Sequence, residues 1–119
     1  MSFKPNNEIK AMFNIFKSAP KNYEDLDGST FKSKFQASPK AELLDVRTSG
    51  EYSAGTIKGA TNLDVTSPQF QPALKTLDKD KEYYVFCRSG NRSGSACQML
   101  SDQGFKAYNL AGGVGAWPH

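Results

Sequence analysis

The stretch Tyr83-Tyr84-Val85-Phe86-Cys87-Arg88-Ser89-Gly90-Asn91-Arg92-Ser93 decides how the rest of the chain is read. An apolar and aromatic run ends in a cysteine. Small, polar and basic residues follow, and then Gly94-Ser95-Ala96-Cys97-Gln98-Met99-Leu100, a helix-like segment. Strand, tight loop and helix in that order place a thiol at the carboxyl end of a buried strand. Loop N–H groups and the positive end of the helix face such a thiol. That setting favours the thiolate, the nucleophilic form of cysteine, and an oxyanion above it. Arg88 and Arg92 add guanidinium groups that stay charged and match oxyanions in shape. A structural cysteine beside solvated arginines is the plainer reading. Strand, cysteine, glycine-containing loop, two arginines and helix start together favour a reactive site. The reading requires that residue 87 not be walled into the interior with no cavity above it.

Upstream of this stretch, Asp78-Lys79-Asp80-Lys81 forms a charged turn into the strand. Phe70, Ala73, Leu74 and Leu77 make the apolar face of a helix that starts at either Ser67-Pro68 or Gln71-Pro72, both a cap followed by proline. Thr61-Asn62-Leu63 reads as a short strand, and Ala41 to Val46 as a buried one. Thr48-Ser49-Gly50-Glu51 has capping-box spacing and opens a short helix ending near Gly55. Arg47 and Glu51 sit four apart, a spacing that allows a pair worth about 0.3 kcal/mol. Tyr23 to Leu26 is a candidate first strand. Asp27 then caps a helix carrying Phe31 and Phe35, which Pro39 ends. Ile9, Met12, Phe13 and Phe16 form a helical stripe that Asn6 or Asn7 caps.

Downstream, Gly104 suits the position after a helix, with Phe105 placed to touch Leu100. Ala107 to Leu110 is the last strand, and Trp117 reads as a lid on the core. Cys97, inside the helix after the loop, reads as a small buried hydrophobe.

Strands alternate with helices without a repeat or low-complexity run, the pattern of one α/β domain with a mostly parallel sheet and helices on both faces. Ligands in such sheets bind beyond the carboxyl ends of the strands, where Cys87 falls. The chain has 119 residues, 38% hydrophobic and 23% charged, with a net charge of +3. Its lysines are scattered, which argues against nucleic acid binding, and a mildly basic surface helps a small anion approach. Two cysteines and one histidine at position 119 argue against a zinc site or a disulfide framework. No metal or cofactor is expected. No stretch reaches membrane-spanning length, so no membrane partner is expected. Asn6, Asn7, Glu8 and Lys10 interrupt what would be the apolar core of a secretion signal. The expected setting is reducing and cytoplasmic, which keeps Cys87 free.

The motifs resemble those of the single-domain rhodaneses, a sulfurtransferase family. Leu44-Asp45-Val46-Arg47 with Glu51-Tyr52, and then Gly55-Thr56-Ile57-Lys58-Gly59-Ala60-Thr61-Asn62, is similar to the family's first motif. Cys87 to Ser93 is similar to its active-site loop, and Gly112-Gly113 with Trp117 to its C-terminal motif. Thr56 stands where the family usually has histidine, a change read here as structural. The resemblance covers residues 22–119 and leaves 1–21 as an N-terminal helical extension. It implies a three-layer α/β/α domain with a five-stranded, mainly parallel sheet in the order 3-2-4-5-1. It also implies that Cys87 accepts a sulfane sulfur, for instance from thiosulfate, as a persulfide and passes it to a thiol or to cyanide.

No histidine lies near Cys87 in sequence to act as its base, so the amides of residues 88–92 must activate it. Gly90 permits the tight turn. Arg88 and Arg92 attract the anionic donor, while Ser89, Asn91 and Ser93 bond it or shape the loop. Two rivals remain. A phosphatase or arsenate reductase on the same fold would have arginine six positions after the cysteine, where this chain has Ser93. A persulfide carrier serving a sulfur-relay protein would use the same residues.

Overall fold

The computed structural model describes residues 21–119. The expected helix bearing Ile9, Met12, Phe13 and Phe16 lies outside the described residues. In chain order the elements are β1 (Glu24–Leu26), α1 (Gly28–Ala37), β2 (Ala41–Asp45), α2 (Ser49–Ala54), β3 (Thr61–Asn62), α3 (Phe70–Leu74), β4 (Glu82–Phe86), α4 (Asn91–Asp102) and β5 (Lys106–Leu110). A 3-10 turn follows at Val114–Ala116.

The strands form one sheet in the order β1-β5-β4-β2-β3. Every neighbouring pair runs parallel. This is the expected order read from the other edge. β4 is central, with Leu44 opposite Val85 and Val85 opposite Asn109. Successive side chains of a strand leave on opposite faces. Tyr83, Val85 and Cys87 therefore join the cluster under α3 and α4, with Phe70, Leu74, Ala96, Cys97 and Leu100. Tyr84 and Phe86 join the opposite cluster, with Phe31 of α1, Ile57 and Leu110. A strand buried on both faces must be apolar along its whole length, which is why Tyr83 to Phe86 shows no polar alternation.

Local signals set the ends of the elements. Asp27 Oδ1 accepts from Thr30 N at 2.8 Å and caps α1, a bond worth about 1 kcal/mol. Phe31 is fully buried, contributing about 2 kcal/mol by leaving water. It meets Tyr84 edge-on at 5.4 Å and Trp117 at 6.2 Å. Trp117 thus covers the α1 side of the core, as its sequence position suggested. The end of α4 carries a paired C-cap: Phe105 N donates to Leu100 O at 3.0 Å and Gly104 N to Ser101 O at 3.0 Å.

α3 departs from both expected starts. It begins at Phe70, and its preceding residue, Gln69, makes no side-chain cap bond. Ser67 instead makes a turn, its Oγ accepting from Gln69 N and its carbonyl from Phe70 N, both at 3.0 Å. Pro72 falls in the first helical turn, where an N–H would have had no partner within the helix.

Candidate active site

β4 ends at Phe86, so Cys87 is the first residue beyond the carboxyl end of the central strand. The loop that follows turns back over it. Gly90 N donates to Cys87 Sγ at 3.1 Å, Ser93 N at 3.3 Å and Ser93 Oγ at 3.3 Å. Burial works against the thiolate here. The Ser93 hydroxyl and the amides of Ser93, Gly90 and Ser89 outweigh it, and the thiol titrates below its ordinary value. The activating donors therefore differ in part from those expected. Ser93, assigned above to the donor or to loop shape, contributes both its groups to the sulfur.

The turn depends on two glycines. Gly90 has φ 100°, and a Cβ there would lie 2.1 Å from Ala111 O. Gly113 has φ 79°, and a Cβ there would lie 1.9 Å from Arg88 O. Side chains are excluded at both positions by conformation and by space. Next to Gly113, Val114 N donates to Cys87 O at 2.8 Å. The family-like Gly112-Gly113 segment thus serves to let one backbone lie against the other.

The seven loop residues divide by environment. Cys87, Gly90 and Ser93 are buried, whereas Arg88, Ser89 and Asn91 are exposed. Arg92 is partly buried and engages Glu51 of α2 through two parallel bonds, Nη1 to Oε1 at 2.7 Å and Nη2 to Oε2 at 3.0 Å. The Arg92 guanidinium, followed by the Thr48 amide, holds the Glu51 carboxyl down at about 2. Glu51 also closes the expected capping box with Thr48.

The expected Arg47–Glu51 pair is replaced. Arg47 binds Asp45, with Nε 2.9 Å from Oδ1 and Nη2 2.7 Å from Oδ2, and reaches Gly55 O at 2.6 Å. Asp45 is fully buried and Arg47 only 7% exposed, so each ion would be costly without the other. Arg47 also precedes the cap residue Thr48 and lies outside the helix that the four-residue spacing assumes. The Thr56 hydroxyl donates to Asp45 Oδ2 at 2.9 Å and completes this cluster.

Cys87 differs from the open thiol expected at a strand end: its exposure is 0%. The sulfur turns toward the loop amides, and the loop closes on it. A cavity of about 540 Å³ lies behind the loop, bordered by Tyr23, Asp25, Gly90, Gly94 and Asn109. Cys87 does not line it, so among the described residues the thiol is closed off from solvent with no open cavity above it. This is contrary to the condition set by the sequence reading, although the sulfur faces the Gly90 and Ser93 donors. Among the described residues, no group of three or more His, Cys, Asp or Glu could hold a metal ion. No helix there is long and apolar enough to cross a membrane.

Sequence reasoning missed Glu51 as the partner of Arg92, since the two are 41 residues apart. It also missed Asn109, a buried polar residue on β5 whose Nδ2 lies 3.2 Å from Gly90 O. The polar side chain within the buried run Ala107 to Leu110 was the available signal.

The fold and the site together define a parallel α/β domain with a cysteine-centred amide loop beyond its middle strand. Residues 27–119 match the family model described as a rhodanese-like domain. The chain is 38% identical over 94 residues to the Bacillus subtilis protein named "Putative sulfurtransferase YtwF", covering 79% of this chain and 89% of that one. It is 31% identical over 94 residues to a protein of Allochromatium vinosum named "Sulfurtransferase", covering 78% and 86%. A rhodanese-like domain protein from Staphylococcus aureus superposes with a TM-score of 0.70 at 28% identity, over 80% of this chain and 91% of that one. The chain belongs to the rhodanese-like domain family.

Proposed function

We propose that this protein is a sulfurtransferase that carries sulfane sulfur on Cys87. The Cys87 thiolate attacks the outer sulfur of a donor such as thiosulfate. A new S–S bond forms, the donor's own S–S bond breaks, and sulfite leaves with the electron pair. An acceptor thiolate, or cyanide, then attacks the outer sulfur of the persulfide. The Cys87 thiolate departs and is regenerated. Each step passes one sulfur atom and leaves the total charge unchanged. The observation that carries the reading is the set of three donors converging on Cys87 Sγ. They stabilise the attacking thiolate first and the terminal persulfide sulfur next.

In this reading Arg88 and Arg92 draw in the anionic donor, Ser89, Gly90 and Asn91 supply loop amides, and Ser93 anchors the sulfur. Residues 22–119 form the transferase domain and residues 1–21 an extension to it. A reducing, cytoplasmic setting suits a free thiol at this site.

Thiocyanate production from thiosulfate and cyanide tests the proposal, with Cys87→Ser as the comparison. Activity in the intact protein and none in the variant is expected. Equal rates would sink it. Mass spectrometry after donor treatment should find one added sulfur at Cys87 and none at Cys97.

The complete burial of Cys87 favours a second reading, a persulfide carrier whose protein partner opens the loop. Slow turnover of small donors with fast transfer to or from a protein distinguishes it. Hydrolysis of an aryl phosphate at useful rates would instead point to the phosphatase rival.

A further inference from the structure

We propose that Asn109 is a positioning residue for Cys87, fixing the Gly90 backbone so that its N–H meets the sulfur. The proposal rests on Cys87 being the sulfur-transferring nucleophile. Asn109 lies on β5 opposite Val85, two residues before Cys87 on β4, and is 3% exposed. Its Nδ2 donates to Asp25 Oδ1 at 2.8 Å and to Gly90 O at 3.2 Å. Gly90 in turn donates its N–H to Cys87 Sγ at 3.1 Å. With φ at 100° and no side chain, Gly90 resists rotation less than any other residue type would.

Packing restrains Gly90 on one side only, where it lies against the Ala111 backbone. Gly90, Gly94 and Asn109 all border the cavity of about 540 Å³, so that side of the loop is open. Gly94 N also donates to Gly90 O, at 3.0 Å, but it belongs to the first turn of α4 and moves with the loop. Asn109 belongs to the sheet. It is the contact that ties the Gly90 carbonyl to a fixed frame.

The second amide atom shows that the orientation is selected. Asn109 Oδ1 is buried and has no hydrogen-bond partner. Turning the amide over would set that oxygen against the Asp25 carboxylate and the Gly90 carbonyl, two acceptors. A hydrophobic residue of similar shape would leave no polar atom orphaned. Asn109 is therefore held for its two donor bonds. Lys21 pairs with the other oxygen of Asp25 and, with Asn109, keeps that carboxylate ionised below its ordinary range. The relay runs from the edge strand through Asp25, Asn109 and Gly90 to the sulfur. Among the described residues, the charged or titratable groups that sense the Cys87 thiolate are Arg92, itself paired with Glu51, and Cys97. Neither is altered in the experiment below.

The test is the rate of Cys87 alkylation by iodoacetamide against pH in the full chain. Asn109→Leu should move the midpoint to higher pH by about half a unit to one unit, as expected when one of several donors to a thiolate is misaligned. Asp25→Ala should move it in the same direction by less. Asp27→Ala removes the cap of α1 and serves as the destabilised comparison, with its midpoint unmoved. Superposable curves for Asn109→Leu and the parent protein would overturn the proposal. If the leucine variant does not fold, Asp25→Ala decides, and an unmoved midpoint there overturns it. Alkylation reads the resting thiol, so the two claims can fail separately. Absent thiocyanate in the parent protein fails the functional reading, and coincident curves with thiocyanate present fail the positioning role alone.

Discussion

Arg92 of the cysteine loop and Glu51 of α2 meet as a two-pronged ion pair at 2.7 and 3.0 Å. The pair ties the loop to the element after β2 and offsets one of the two cations expected to attract a donor. Glu51→Gln keeps the capping geometry and removes the negative charge. The KM for thiosulfate should fall by about threefold at low ionic strength, with the gain shrinking as salt rises. Steady-state kinetics at two salt concentrations check this. An unchanged KM at low salt would show that Arg92 does not act on the donor.

The same pair sets an acid limit. The folded Glu51 carboxyl titrates at about 2, below the roughly 4.3 of an unfolded glutamate. A depressed carboxyl stabilises the fold fully above its unfolded value and loses that contribution as pH falls through the folded one. The stability difference between the parent protein and Glu51→Gln should be flat above about pH 5 and should shrink between about pH 4 and 2. Urea denaturation across that range is the measurement.

Ser93→Ala deletes one donor to Cys87 Sγ and leaves the Ser93 amide in place. Burial remains as the opposing influence, so the thiolate midpoint should rise by about half a unit to one unit. Transfer at pH 7 should drop severalfold and recover toward pH 9. A rate loss that persists at high pH would mean that the hydroxyl acts on the donor instead.

The two cysteines should separate cleanly in labelling. Burial pushes the Cys97 thiol up, and the donors around Cys87 bring that one down. Under native conditions a small alkylating agent should modify Cys87 alone, and Cys97 only after unfolding. Peptide mapping by mass spectrometry reads both.

Gly113→Ala should damage the site from outside it. A methyl group at that position would lie 1.9 Å from Arg88 O, in a backbone with φ 79°. Destabilisation of about 3 kcal/mol or more is expected, together with loss of the depressed Cys87 midpoint. A soluble variant with normal stability would contradict the close backbone approach.

What could be read in the sequence was what a few adjacent residues determine. Asp27, the Thr48–Glu51 box and Gly104 each complete their bonds within one turn, so spacing alone revealed them. β4 was legible because a strand buried on both sides must be apolar throughout. The start of α3 was not, because two serine- or glutamine-proline signals compete and the turn at Ser67 belongs to neither as a cap. Arg47 misled because its four-residue spacing to Glu51 counts only inside a helix, and the buried Asp45 lies nearer. Arg92–Glu51 and Asn109–Gly90 join residues far apart in sequence, and only the assembled sheet brings them together. The closure of the loop over Cys87 is likewise a tertiary result, which the loop's own sequence does not show.

The hydrogen bond from Val114 to the Cys87 carbonyl has a bearing on biosynthesis. A ribosome makes residues 113–117 well after the cysteine loop. Until they emerge and dock, the nascent thiol lacks the backing that seats its loop and stays an ordinary, unguarded sulfhydryl. Seating of that loop is thereby timed to the arrival of Val114 rather than to the making of Cys87 itself.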